Sequence, residues 1–225
     1  MLVAILGGCA NVSAPLVGVL SDSFSEVAAD SGHKVTTAAL RPDFEYLKIQ
    51  AQDSPAALLV LGYVDHHPLG DIEVWYSAAR EVIKLQNGRI VGTAGLPMDW
   101  RSVSHPVSPP PWLQIARAAD RTARYERLRY VMPGYRTGEI ETIEVSVTQP
   151  PTGLAASFMA ENLIWVQEHV INDSDRSNAS MDRLPDAWFA VGSQLGRGQV
   201  RASFQCLSND ICYTLQRWPV GPKAP

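Results

Sequence analysis

The sequence predicts a mainly β protein, and three observations carry that prediction. From Asp43 onward, short runs rich in β-branched and aromatic residues alternate with Gly, Pro, Asn and Asp. Asn87-Gly88 sits between two apolar runs, the pattern of a two-residue hairpin turn. Helical spacing of apolar residues is confined to the start of the chain, where Pro15 leads into Leu16, Leu20, Phe24 and Val27 and the pattern stops at Ser31-Gly32. With 225 residues, 46% of them hydrophobic, the chain can bury a full core as a single domain.

Taken in order, residues 44–51, 57–64 and 72–77 read as strands. The run from Glu81 to Gly92 is a hairpin, because Asn87 and Gly88 both tolerate the positive φ angles of a type I′ turn. With the strand before it, this hairpin makes a meander of at least three strands. Ser104 to Pro111 is an extended crossover, since its prolines cannot donate to a ladder. An antiparallel pair follows, residues 123–132 and 139–148, turning through Pro133-Gly134 and Gly138. Ile143, Val145 and Val147 share one face of its second strand, and Glu144 and Ser146 the other. The remaining strands are 162–170, 186–191, 199–207 and 211–217, with a polar loop at 172–182.

A formal net charge of −4 provides no electrostatic footprint for nucleic acid. No window approaches the ~18 apolar residues of a membrane-spanning helix, so any membrane contact has to run through a lipid. Leu6-Gly7-Gly8-Cys9 fits a lipobox, in which small residues precede the cut and the cysteine thiol takes the lipid. The preceding segment is short and lacks a basic residue, so the full signal is expected to start further upstream. The alternative is that Leu2 to Leu6 is the stub of a core strand and Cys9 a small buried hydrophobe. Cys206 and Cys212 flank a polar Ser208-Asn209-Asp210 turn, so they face each other across a hairpin tip. They form a disulfide in an oxidising compartment, or stay as reduced buried thiols in a reducing one.

Catalytic patterns are scarce. The sequence has no Gly-x-Ser-x-Gly elbow, P-loop, dinucleotide fingerprint or His-Glu-x-x-His, so no catalytic residue, cofactor or metal is assigned. Asp65-His66-His67, with His105 joining in space, has the right ligand types for a metal but reads more simply as a polar turn, because adjacent strand residues point to opposite faces. Glu139 and Glu141 are spaced as an acid/base pair but are read as solvated surface carboxylates. Most of the six tryptophans are expected in the core. If a glycan is bound, Trp100 and Trp112, which flank the proline-rich crossover, are the rings expected to be exposed.

Four runs and two shorter segments carry a resemblance. Val60-Leu-Gly-Tyr-Val-Asp65, Gly70-Asp-Ile-Glu-Val-Trp-Tyr-Ser77 and Leu85-Gln-Asn-Gly-Arg-Ile-Val-Gly-Thr-Ala-Gly-Leu96, with Asp99-Trp100, resemble the YjbF/GfcB family of group 4 capsule lipoproteins. Gly198-Gln-Val-Arg-Ala-Ser-Phe-Gln205 is similar to the family's late strand, which follows a Trp-rich strand matched by Asp186-Ala-Trp-Phe189. The resemblance implies a large antiparallel meander curled into a partly open half-barrel. It also implies a lipid anchor on Cys9 at the periplasmic face of the outer membrane, and a setting in exopolysaccharide or capsule production. On that reading residues 1–8 are a truncated signal remnant, 9–42 the lipidated segment with its helix, and 43–225 the half-barrel. The expected role is a non-enzymatic accessory whose partners are export proteins of the envelope or the glycan. The alternatives are a periplasmic polysaccharide-modifying enzyme and a carbohydrate-binding module.

Overall fold

The computed structural model describes residues 40–41, 43–52, 54–118, 122–151, 163–171, 183–194 and 197–218. Cys9, the helix expected from Pro15 to Gly32 and the polar loop at 172–182 lie outside the described residues. Within them the strands are β1 (Tyr46–Ala51), β2 (Ala57–Asp65), β3 (Ile72–Tyr76), β4 (Val82–Gln86), β5 (Arg89–Ala94), β6 (Asp99–Ser104), β7 (Thr122–Met132), β8 (Arg136–Thr148), β9 (Leu163–Ile171), β10 (Ala187–Gln194), β11 (Arg197–Cys206) and β12 (Cys212–Trp218). One short helix, α1 (Trp112–Arg117), follows the extended proline segment. The chain is mainly β, as the patterning of the sequence predicts.

The twelve strands form one antiparallel sheet in the order β5-β4-β3-β2-β1-β12-β11-β10-β9-β8-β7-β6. Two meanders, β1–β5 and β6–β12, are joined where β1 pairs with β12, from Tyr46 opposite Trp218 to Ala51 opposite Tyr213. The two edges of the sheet, β5 and β6, are therefore consecutive in the chain. They meet at one end through Asp99, whose carboxylate accepts from Thr93 Oγ1 and from the backbone amides of Gly95 and Leu96, each at 3.1 Å. Thr93 Oγ1 in turn accepts from the Trp100 amide at 2.9 Å. No backbone ladder joins the two edges among the described residues, and the sheet is curled but not closed into a barrel.

Curling has a local cause. The register slips between Leu61 and Tyr63, Lys84 and Leu85, Trp100 and Ser102, Arg129 and Val131, and Ala190 and Val191, and each such bulge adds twist and bends its strand. The inner face closes over a core that includes Ile49, Leu59, Trp75, Ile83, Ile143, Phe189 and Leu215. The hairpin turn is as expected: Asn87 has φ 51° and Gly88 φ 82°, the two positive values of a type I′ turn. Two elements differ from expectation. Asp99–Ser104 is a strand, recruited by pairing with β7 although its sequence is short and polar. Trp112–Arg117 is a helix whose Trp112 and Ile115 are buried, so tertiary packing sustains a segment with little helical pattern of its own.

Candidate functional site

The tip of the β4–β5 hairpin reaches across the hollow of the sheet and is held there by β11, β9 and α1. Gly88 lies against Val200, and a Cβ on Gly88 would fall 2.5 Å from the Val200 Cβ. Gln205 clamps the hairpin by accepting from the Ile90 amide at 2.9 Å and donating to the Gly88 carbonyl at 2.9 Å. Its Nε2 also donates to Ser203 Oγ at 2.8 Å. These bonds satisfy backbone groups that an edge strand would otherwise leave unpaired in the interior. From the other side, Trp112 Nε1 donates to the Asn87 carbonyl at 3.0 Å. Two of the runs quoted for the family resemblance thus meet in space, Asn87 to Ile90 on one side and Gly198 to Gln205 on the other. Gly198 has a packing reason of its own, since a Cβ there would lie 3.1 Å from that of Trp112.

Charged side chains complete the interior. Arg89 donates to Glu168 at 2.7 Å, and the two side chains are only 7% and 4% exposed. The Arg89 guanidinium also stacks 3.6 Å from the centre of the Trp112 ring. A second cluster lies between β7 and β8, where Glu141 accepts from Arg127 at 2.6 Å and from Arg129 at 2.7 and 2.6 Å. Burial pulls the Glu141 carboxyl upward, but the two guanidiniums outweigh it and hold the group below the usual carboxylate range. Arg127 and Arg129 also cap the Trp100 ring at 5.1 and 4.8 Å, while Trp100 Nε1 donates to the Leu207 carbonyl at 3.1 Å.

Between the two clusters is a cavity of about 20 Å³ bordered by Arg89, His105, Tyr125, Arg127, Glu168 and Gln205, among others. Among the described residues, Arg89 Nη2 and the Tyr125 hydroxyl have no partner in hydrogen-bonding geometry. A polar space of this size takes about one or two waters and no sugar ring. Burial pushes the Tyr125 hydroxyl upward, and the nearby Glu168 adds to the effect. Burial, helped by Arg89 and Arg127, pushes His105 down to about 4, so its ring is neutral at pH 7.

The structure corrects two expectations, on the tryptophans and on Glu141, and places His66 and His67 in the polar turn expected for them. Trp100 and Trp112 are 3% and 4% exposed, so neither ring is open to a glycan; each has its N–H on a backbone carbonyl and its face against a guanidinium. Glu141 is not a solvated surface carboxylate but the buried counter-charge of two arginines. His105 does not join His66 and His67: it is buried against Tyr125, with ring centres 5.5 Å apart. His66 pairs with Asp71 at 2.9 Å in the solvent-exposed β2–β3 turn, and His67 Nδ1 accepts from the Leu69 amide at 3.1 Å. Among the described residues no three His, Cys, Asp or Glu side chains are grouped to hold a metal.

Cys206 and Cys212 are bonded, S–S 2.04 Å, across a cross-strand pair with Cα atoms 3.9 Å apart. Cys206 borders the interior cavity, one residue from Gln205. Arg89, Arg127, Arg129 and Glu168 were not anticipated as interior groups. The signal for them was parity: Tyr125, Arg127, Arg129 and Val131 alternate along one strand, as do Glu141, Ile143 and Val145, so the charges share a face with core residues.

The model of the family described as group 4 capsule polysaccharide lipoprotein gfcB, YjbF matches residues 29–177, more than half of the chain. The chain belongs to this family. Within the YjbF family match lie the hairpin tip, Arg89 and the β7–β9 charge clusters, whereas Gly198 to Gln205 lies beyond it. Among solved structures, the hypothetical lipoprotein YmcC from Escherichia coli (K12) superposes with a TM-score of 0.57 at 18% identity, covering 91% of this chain and 97% of that one. A likeness at that identity shows a shared fold. No curated protein matches the chain significantly.

Proposed function

We propose that this YjbF family protein is an accessory lipoprotein of capsule polysaccharide production, anchored by a lipid on Cys9 at the periplasmic face of the outer membrane and working by binding rather than turnover. The family match carries the reading, since it ties the chain to capsule polysaccharide and to lipoproteins. The interior supports the non-enzymatic part. Two of its carboxylates, Glu141 and Glu168, are spent on arginines, and a third, Glu81, is held by the Ser77 hydroxyl at 2.7 Å in the β3–β4 turn. A general acid or base needs a free carboxyl within reach of substrate, and the space beside Glu168 is water-sized. This weighs against the modifying-enzyme alternative built on Glu141. In cells expressing the full-length gene, Cys9→Ser is expected to abolish palmitate labelling and release the protein from the membrane fraction. Gene deletion is expected to lower surface or secreted polysaccharide, while purified protein turns over none. Membrane retention of the Cys9→Ser protein, or glycan cleavage by the pure protein, would overturn the proposal.

A further inference from the structure

The convex face of the sheet carries a row of side chains that point away from the main core. Phe189, Ser203 and Leu215 are buried, so their chain neighbours Trp188, Phe204 and Thr214 point outward. The register sets Trp188 opposite Phe204 and Phe204 opposite Thr214. It continues the row to Gln167 and Ser146 on one side and to Gln50 on the other. The row crosses β8, β9, β10, β11, β12 and β1, a span of roughly 24 Å at ~4.8 Å per strand. None of the six residues is buried and none is charged.

Their order is chemically specific. Two aromatic rings, with centres 5.8 Å apart, occupy the middle, and hydroxyl and amide groups extend to both sides. Gln167 Nε2 is held by Asp186 at 2.6 Å and Gln50 Nε2 by the Ser54 carbonyl at 3.0 Å, so each side chain is oriented with its carbonyl oxygen left as an acceptor. We propose that this row is a binding track for an extended, uncharged polysaccharide chain, with sugar rings on Trp188 and Phe204 and sugar hydroxyls on the polar residues to either side. Aromatic faces stack on the apolar face of a sugar ring, and flanking amides and hydroxyls match its hydroxyls. An anionic polymer or lipid surface calls for a strip of basic residues, whereas the rows on either side of the track balance Arg124, His169 and Lys48 against Glu144 and Asp186. A protein partner calls for a rounded apolar centre within a polar rim rather than a line. The inference rests on the capsule reading above and specifies the ligand class.

The test is affinity electrophoresis of the intact protein through gels containing neutral mannan, neutral β-glucan or polysaccharide shed by the producing cells, with polygalacturonate as the charged control. Retardation by at least one neutral or shed polymer, with none by polygalacturonate, is expected. Trp188→Ala should weaken retention about tenfold, the order of one lost aromatic contact. Trp188 also packs against the Trp165, Ala190 and Ala202 cluster, so Thr214→Arg, which removes little packing, is measured beside it and should weaken retention too. Tyr76→Ala, exposed on β3, should change nothing. The proposal is overturned if no neutral or shed polymer retards the protein, if folded Trp188→Ala and Thr214→Arg are retained like the parent, or if Thr214→Arg breaks up a self-associated form instead. Capsule level in a deletion strain is read separately, so the track can fail while the accessory role stands.

Discussion

Glu141 holds its charge in a place where water barely reaches, which makes it the residue whose loss is most informative. Replacing it with Gln leaves Arg127 and Arg129 buried without this counter-charge, and breaking such a pair costs about 3–5 kcal/mol. Urea denaturation of Glu141→Gln should show that loss, whereas Glu144→Gln, which breaks an exposed pair with Arg124, should lose less than about 1 kcal/mol. His105 supplies a pH dependence of definite sign. Its folded value of about 4 lies below the ordinary 6.5 because burial, Arg89 and Arg127 disfavour the imidazolium. Between those values the unfolded chain binds a proton that the native ring refuses, so stability falls as pH drops from 6.5 towards 4, by at most about 3 kcal/mol. Glu141 adds its own loss at still lower pH, as its depressed carboxyl protonates. His105→Asn should flatten the curve between pH 6.5 and 4 and leave the lower limb in place, a comparison that denaturation midpoints at each pH would make. The site was legible only in part. Gln205 stood in a quoted run without a role, because its work is done across 115 residues on Ile90, a contact that no local pattern encodes.

The hairpin β4–β5 is the element on which the interior depends. Gly88 combines a positive φ with a wall, since any side chain there meets Val200. Gly138 has a comparable φ of 73° but nothing within 4 Å of a built Cβ. Gly88→Ala should therefore carry both the backbone penalty of about 1 kcal/mol and an overpacking cost of about 1–3 kcal/mol, and Gly138→Ala the first alone. Equal destabilisation of the two variants in guanidinium would show that the hairpin tip is not wedged against β11. Most strands could be read from the sequence because turn residues bracket β-branched runs, and Asn87-Gly88 even identified its turn type. The elements that escaped, β6 and α1, lack that local signature: one is held by its ladder to β7 and the other by burial of Trp112 and Ile115. The same long-range packing hid the tryptophans. Proximity to a proline-rich segment suggested open rings, yet that segment brings Trp112 inward, against Phe189 at 4.8 Å.

At the scale of the molecule, β12 is the strand that makes one sheet out of two meanders, for it pairs with both β1 and β11. The Cys206–Cys212 bond anchors its beginning. Replacing both cysteines with serine should lower stability by about 2 kcal/mol, the loop-closure value for so short a ring. Because β12 serves both halves, the loss should appear in one shared transition, with tryptophan fluorescence and far-ultraviolet circular dichroism moving together. Two separated transitions would mean that the halves fold independently. The placement of β5 beside β6 has a different consequence, one for a crowded surface. An open sheet ordinarily offers each margin to a neighbouring chain, and molecules held close together would meet margin to margin and polymerise. Here the two margins face each other across a seam pinned by Asp99 and Thr93. A strand arriving from another copy must first prise that seam apart, so the fold guards itself against fibre growth without needing to complete a barrel.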